Sequence, residues 1–293
     1  MEPDYIRLKD IKPAIAGYIK DAETILKSAE YPDEDAVHDV RVLMKKARAA
    51  LRVTAPQIDR EFADREKMAL REVGRIMSSW RNTAVMRKLI KDLKKKHPDL
   101  FLELMDNGKI TNLLKKPVEI ESETTDEKDK IDRILTILNK SGYHFRFEPL
   151  TNLDARLLLK ELEVTYNRVV NDYLICRNYQ KPSNLHEFRK SSKDFLYQLW
   201  FFRPLNVSSV KRLEKKLDSL AQYLGKYNDL TQLLKELEYK YEYTANPPEL
   251  DGLAVIIKEE QDWYLSKIWP IAYKIFCPGQ KLVNLLGFKV LVI

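Results

Sequence analysis

Apolar residues recur at helical spacing along the first part of the chain, and prolines and polar turns interrupt them. Ile11, Ile15, Tyr18, Ile19, Ala22, Ile25 and Leu26 fall on one side of a helix predicted over 11–29. Pro32 ends it, and Asp33 to Asp35 supply an N-cap and an acidic first turn for a second helix, which Pro56 terminates. Phe62, Met68, Leu70, Val73, Met77, Trp80, Val85, Leu89 and Leu93 mark one long or bent helix from Arg60 to about Lys95, with Gly74 and Ser78 the cheapest place for a bend. The pattern weakens over 97–130, through a short helical piece at Leu100 to Met105, a turn at Asn107 and Gly108, and a polar acidic run ending at Lys130. Ile131 to Leu138 recovers helical spacing. Ser141 and Gly142 are read as its end, and Tyr143 to Pro149 as a linker.

The second half starts the same sequence of elements again. Helices are predicted over Leu153 to Cys176, over Leu185 to Phe202 up to Pro204, over Val207 to about Tyr241, and over Leu250 to Phe276 after Pro247 and Pro248. At an offset of 148 residues, Lys12, Tyr18, Leu26, Tyr31, His38, Arg41, Lys45, Leu51 and Pro56 face Lys160, Tyr166, Leu174, Tyr179, His186, Arg189, Lys193, Leu199 and Pro204. These nine identities lie within positions 12–56, about three times the number chance supplies, and an internal duplication is the simplest account. Past a one-residue slip, Val73, Met77 and Trp80 face Leu220, Leu224 and Tyr227. The expected fold is all-α, in two helical halves, 1–147 and 148–293.

Charge adds a second pattern to the second helix. His38, Arg41, Lys45, Arg48 and Arg52 follow steps of three and four, so they form one cationic row beside the apolar stripe of Val37, Val40, Met44, Ala47 and Leu51. In the second half His186, Arg189, Lys190, Lys193 and Tyr197 hold the corresponding side. One such row reads as a solvated helix face. Two rows at equivalent positions of a repeat point to an anion site, because stacked like charges repel unless water or an anion lies among them. Arg offers a planar fork for phosphate oxygens, Lys a point charge and His a protonatable donor. His38 to Arg52 spans about 20 Å at 1.5 Å per residue, a length that suits a phosphate polymer.

Composition narrows the classes. Eight Gly and 32% charged residues favour long helices over a loop-rich β fold, and the net charge of +7 permits an anionic partner. Cys176 and Cys277 have no metal-ligand or disulfide-framework spacing. The N-terminus lacks the pattern of a signal peptide, and no run reaches 18 apolar residues, so the expectation is a cytoplasmic protein without a membrane span. The C-terminal KLVNLLGFKVLVI reads as a tail that docks onto the body. His38 with Asp39 and His186 with Glu187 make poor metal sites among so many cations, so no metal and no cofactor are expected. Glu119, Glu121 and Glu123 alternate like the opening of the ExExK motif of triphosphate tunnel enzymes, but without its lysine or a strand-rich domain around it, and there is no glycine-rich phosphate loop. Catalysis is therefore not expected.

The segments VHDVRVLMKKARAAL and LHEFRKSSKDFLYQL resemble the two signature helices of the CHAD family, the conserved-histidine α-helical domain, and LAQYLGKYNDLTQLLKEL resembles its second-half Leu-Gly-x-x-Asn-Asp-Leu segment. The resemblance runs from residue 1 to about 276. It implies two pseudo-twofold-related antiparallel bundles of four-helix type in one compact unit, with a basic groove or pore between them that binds inorganic polyphosphate, and by extension association with polyphosphate granules. It marks His38, Arg41, Lys45, Lys46 and Arg48, with His186, Arg189, Lys190, Lys193 and Tyr197, as signature positions; Arg81 and Asn82, with Asn228 and Asp229, fill the later motif. Arg52, and the pairs Lys12 with Lys160 and Tyr18 with Tyr166, complete the candidate ligand positions. Two departures stand out: Asn82 replaces a carboxylate, and Asp194 and Phe195 stand where further basic residues are common.

Three expectations follow. The first row, unbroken in sequence, should supply more of the affinity than the second. Arg41→Ala and Arg189→Ala should weaken binding without changing melting, and protonation of His38 and His186 should tighten it below about pH 6. Single-stranded nucleic acid is the alternative ligand, with Tyr18, Tyr166 and Tyr197 available to stack bases.

Overall fold

Three of the helices begin where an aspartate supplies the cap, at Asp33, Asp59 and Asp154. The computed structural model describes residues 11–28, 31–99, 101, 123–147, 153–241 and 248–287, leaving out the side chains at 79, 81–87, 123–126, 236–241 and 248–251. Helix α1 covers Ile11–Lys27 and α2 covers Glu34–Thr54, where Asp33 Oδ1 accepts from Ala36 N at 2.7 Å. Pro56 lies in a 3-10 turn that ends α2. Helix α3, Arg60–Ile76, starts on Asp59, whose Oδ1 accepts from Phe62 N at 2.7 Å. Met77 breaks the helix beside Gly74 and Ser78, and α4 runs from Ser78 to Lys96. Helix α5 is Glu123–Phe147, α6 Ala155–Asn178, α7 Pro182–Leu199, α8 Val207–Tyr241, α9 Pro248–Phe276 and α10 Leu282–Leu285.

The chain is all-α among the described residues. Helices α1, α2, α3 and α5 pack as one four-helix group, and α6, α7, α8 and α9 as another. Glu34 and Pro182 open α2 and α7 at the 148-residue spacing, and Arg60 and Val207 open α3 and α8 after the slip. The groups are not independent. Helix α2 packs against α7, and one continuous core runs from Ile15 and Met44 to Phe188, Phe195 and Phe276. Helix α4 starts against α2 and α3 and then reaches over to the second group: its Leu89, Ile90 and Leu93 make a second core with Leu230 and Leu233 of α8 and Leu253 and Ile257 of α9. The boundary at 147/148 therefore divides the chain but not the hydrophobic core.

One element differs from its sequence reading. Helix α5 continues through Ser141 and Gly142 to Phe147 instead of giving way to a linker. Glycine inside a helix costs about 1 kcal/mol relative to alanine. Burial offsets that cost here: Phe145 is fully buried with its ring edge-on to Phe62 at 5.2 Å, Ser141 is buried, and His144 Nδ1 lies 2.7 Å from Glu66 Oε1 on α3. A Cβ on Gly142 would touch Ile19 at 3.7 Å, so the glycine lies at the close approach of α5 to α1.

Through Gly287 the tail docks as expected, with Leu282 and Leu286 buried. Gly287 has φ 73° and sits where a Cβ would fall 2.6 Å from Ser209 Oγ, so glycine is required there for both conformation and space. Of the expected short helix at 100–105 only Phe101 is described, and it is helical and buried; the turn at 107–108, residues 118–122 of the acidic run and residues 288–293 lie outside the described residues, while 123–130 of that run belong to α5 in place of the expected irregular stretch. Among the described residues no helix is long and apolar enough to cross a membrane.

Candidate functional site

The two cationic rows are brought together because α2 and α7 pack against each other. Near their C-terminal ends Gln198 Nε2 donates to Ala49 O at 3.4 Å, and Asp194 pairs with Arg52. His38 near the start of α2 and Arg189 and Lys193 of α7 line one cavity of about 460 Å³. Its remaining wall comes from α8 and α9, with Asp218, Tyr223, Lys226 and Asp229 on the first and Trp263 and Tyr264 on the second. Three fixed cations and an imidazole thus face two carboxylates and an aromatic edge. This cavity is basic, but only moderately so.

Each arginine of the equivalent pair lies against the long helix behind it. Arg41 Nη1 donates to Gly74 O at 2.6 Å and to Ser78 Oγ at 3.0 Å, which fastens α2 to the α3–α4 break. Arg189 lies flat on α8 at Gly225, where a Cβ would be 3.5 Å from its guanidinium. Gly225 is the counterpart of Ser78 after the slip, so both arginines occupy the same place in their halves. Arg41→Ala would remove two hydrogen bonds to a charged donor. The expectation of unchanged melting does not survive that geometry.

The histidines differ. His186 is half-buried, and its Nδ1 lies 2.8 Å from Asn228 Oδ1. With the amide oxygen of Asn228 facing it, Nδ1 acts as the donor in the tautomer that leaves Nε2 as the acceptor. His38 is exposed at the cavity. The position equivalent to Asn228 is Arg81, whose side chain, like that of Asn82, lies outside the described residues.

Beyond the cavity the first row continues as a cluster of arginines. Arg48 is half-buried; burial lowers its pKa, Asp194 pushes it back up, and Arg52 and Arg71 lower it again. Arg71 belongs to α3 and is absent from the sequence candidates. At the equivalent position of α8 stands Asp218, and Lys67 is likewise answered by Glu214, whose carboxylate is held by Arg203 at 2.8 Å. The apolar matches across the slip carry the signal; extended to polar positions, they pair these residues of opposite charge. Tyr197 is half-buried beside Arg189, Asp194 and Asp218, with Lys193 Nζ 5.7 Å from its ring centre. Burial pushes its phenol up to about 12.

The other candidates lie elsewhere. Lys46 is 5.8 Å from the ring of Tyr18 and lines a separate depression between α1 and α2, with Asp21 and Asp39. Lys12 Nζ donates to Arg146 O at 3.1 Å at the end of α5. Lys160 is exposed on α6. Lys190 is exposed and paired with Glu187 at 2.9 Å. Tyr166 is buried in the core, its hydroxyl donating toward the carbonyls of Ile275 at 2.9 Å and Gln280 at 3.0 Å, which leaves no ring face for a base. Phe195 is fully buried, which explains why no basic residue stands there.

The CHAD domain profile matches residues 18–238. The crystal structure of the CHAD domain from the plant Ricinus communis superposes with a TM-score of 0.58 at 18% identity, over 97% of this chain and 92% of that one. No curated protein sequence matches at a significant level. The family profile takes in both histidine helices and the asparagine that holds His186, and the chain belongs to the CHAD domain family.

Proposed function

We propose that the chain binds inorganic polyphosphate, without catalysis, along the cationic surface between α2 and α7. The observation that carries this reading is the cavity in which His38 of the first half meets Arg189 and Lys193 of the second. The Arg48 and Arg52 cluster extends the positive surface along α2, about 21 Å from His38 at 1.5 Å per residue. A phosphate chain neutralises such a row all along its length, whereas a single phosphate meets only one or two of its donors.

Single-stranded nucleic acid is the second reading, favoured by Tyr223, Trp263 and Tyr264 at the cavity edge, since aromatic rings there offer faces to bases. Competition separates the two. Long-chain polyphosphate is expected to displace a labelled oligonucleotide at far lower phosphate concentration than the oligonucleotide needs to displace labelled polyphosphate. The reverse ranking would transfer the site to nucleic acid.

A further inference from the structure

A carboxylate of the chain occupies a place that its surroundings fit to a phosphate. Asp194 of α7 pairs with Arg52 of α2 and lies 3.4 Å from Arg168 Nη2 of α6, so it joins three helices. One turn before Arg52, Arg48 Nε is buried and has no hydrogen-bond partner among the described residues. Arg71 adds its field from α3. Arg48 and Arg52 are half-buried, whereas Arg71 and Arg168 are exposed. Like charge gathered on the two half-buried groups is costly, and planar guanidinium forks match the oxygens of a tetrahedral oxyanion. Asp194 presents two oxygens to them, where a phosphate presents more. Tyr197, close to both Asp194 and Arg189, lies between this cluster and the cavity.

We propose that Arg48, Arg52 and Arg168, backed by Arg71, form a second phosphate seat that Asp194 fills in the unliganded protein and yields to a phosphate group of a longer chain. The helix register makes Asp194 peculiar to this half: its counterpart at the 148-residue offset is Lys46. A free phosphate must compete with a carboxylate already in place. A phosphate tethered to neighbours bound at His38, Arg189 and Lys193 arrives at high effective concentration and displaces it. Asp194 therefore selects long chains over orthophosphate. The identity of the tethering polymer rests on the polyphosphate reading; the seat does not.

The test uses the full chain with Asp194→Asn and with the double variant Asp194→Asn/Arg52→Gln. In phosphate-free buffer Asp194→Asn is expected to melt below the wild type, and millimolar inorganic phosphate should restore it more than sodium chloride of equal ionic strength. The wild type and the double variant should show no such phosphate-specific gain. If Asp194→Asn does not fold without phosphate, refolding in its presence supports the seat, and failure to refold overturns it. Recovery no greater than that given by chloride also overturns it. Long-chain polyphosphate should bind Asp194→Asn about fivefold more tightly than the wild type, the scale of one partly exposed charge pair, and unchanged or weaker binding contradicts the role of Asp194 as a competitor. If the wild type binds no polyphosphate while phosphate still restores Asp194→Asn, the polyphosphate reading fails and the seat stands.

Discussion

The two walls of the site use the same helices for different tasks. Helix α7 places Arg189 and Lys193 in the cavity and uses Asp194 to hold Arg52, while α2 sends His38 to the cavity and gathers Arg48 and Arg52 farther along. Behind them, α3 carries Lys67 and Arg71 where α8 carries Glu214 and Asp218. The first half is therefore the more positive, yet its row is not uniformly available: Arg41 is fastened to Gly74 and Ser78, and Arg52 to Asp194. A charge row that is unbroken in sequence is divided in space between ligand surface and structural clamp. That division modifies the expectation that the first row dominates affinity, because the cavity itself draws more cations from α7.

Reversing one charge in the cavity should have the largest effect. Lys193→Glu is expected to weaken polyphosphate binding about tenfold or more, equivalent to about 1.4 kcal/mol, and to reduce the slope of log affinity against log salt. Lys45→Glu should lose less. If Lys45→Glu costs more than Lys193→Glu in the same titration, the first wall dominates after all. Stability tests the arginine clamp next. Arg41→Ala should lose about 1.5–3 kcal/mol through its two charged hydrogen bonds, visible as a lower denaturant midpoint. A midpoint equal to that of the wild type would remove the clamp from the first wall.

The histidines give a smaller contrast. His186→Ala breaks the link to Asn228 and should lose about 1 kcal/mol, whereas His38→Ala, at an exposed position, should leave melting within about 0.5 kcal/mol of the wild type. Similar losses at the two positions would contradict this assignment. The smallest effect concerns Tyr197, whose phenol is pushed up to about 12 mainly by burial. The folded phenol stays neutral where the unfolded one, near pKa 10, ionises. Its contribution to stability is whole below pH 10 and lost as pH rises from 10 to 12. Tyr197→Phe should therefore show a shallower alkaline fall in stability than the wild type, and identical profiles would contradict the shift.

Much of this was legible along the chain. The break at Gly74 to Ser78 and the Asp33 cap follow from local chemistry that a single helix can reveal, whereas α7 starts at Pro182, ahead of the expected Leu185. His38 and His186 share a place in the repeated spacing, but only His38 is among the residues that line the cavity. The continuation of α5 through Gly142 was not legible, since the reason lies in Phe62, Glu66 and Ile19 on other helices. Tyr166 and Tyr18 keep their identities at the offset, but identity marks position in the bundle, and Tyr166 uses its position to close the core on Ile275 and Gln280. Asp194 was visible as a departure from the basic pattern. Its partners, Arg52 and Arg168, come from separate helices that only the packed structure brings together.

The central claim is that one extended anion surface joins the two halves, and the most direct measurement is the affinity of the wild-type chain for a size series of polyphosphates at fixed salt. Affinity per molecule should climb with chain length until a chain spans from the His38, Arg189 and Lys193 cavity to the arginines near Arg52, and then level off. Affinity that is already complete with the shortest chain, or that depends only on total phosphate concentration, would contradict it.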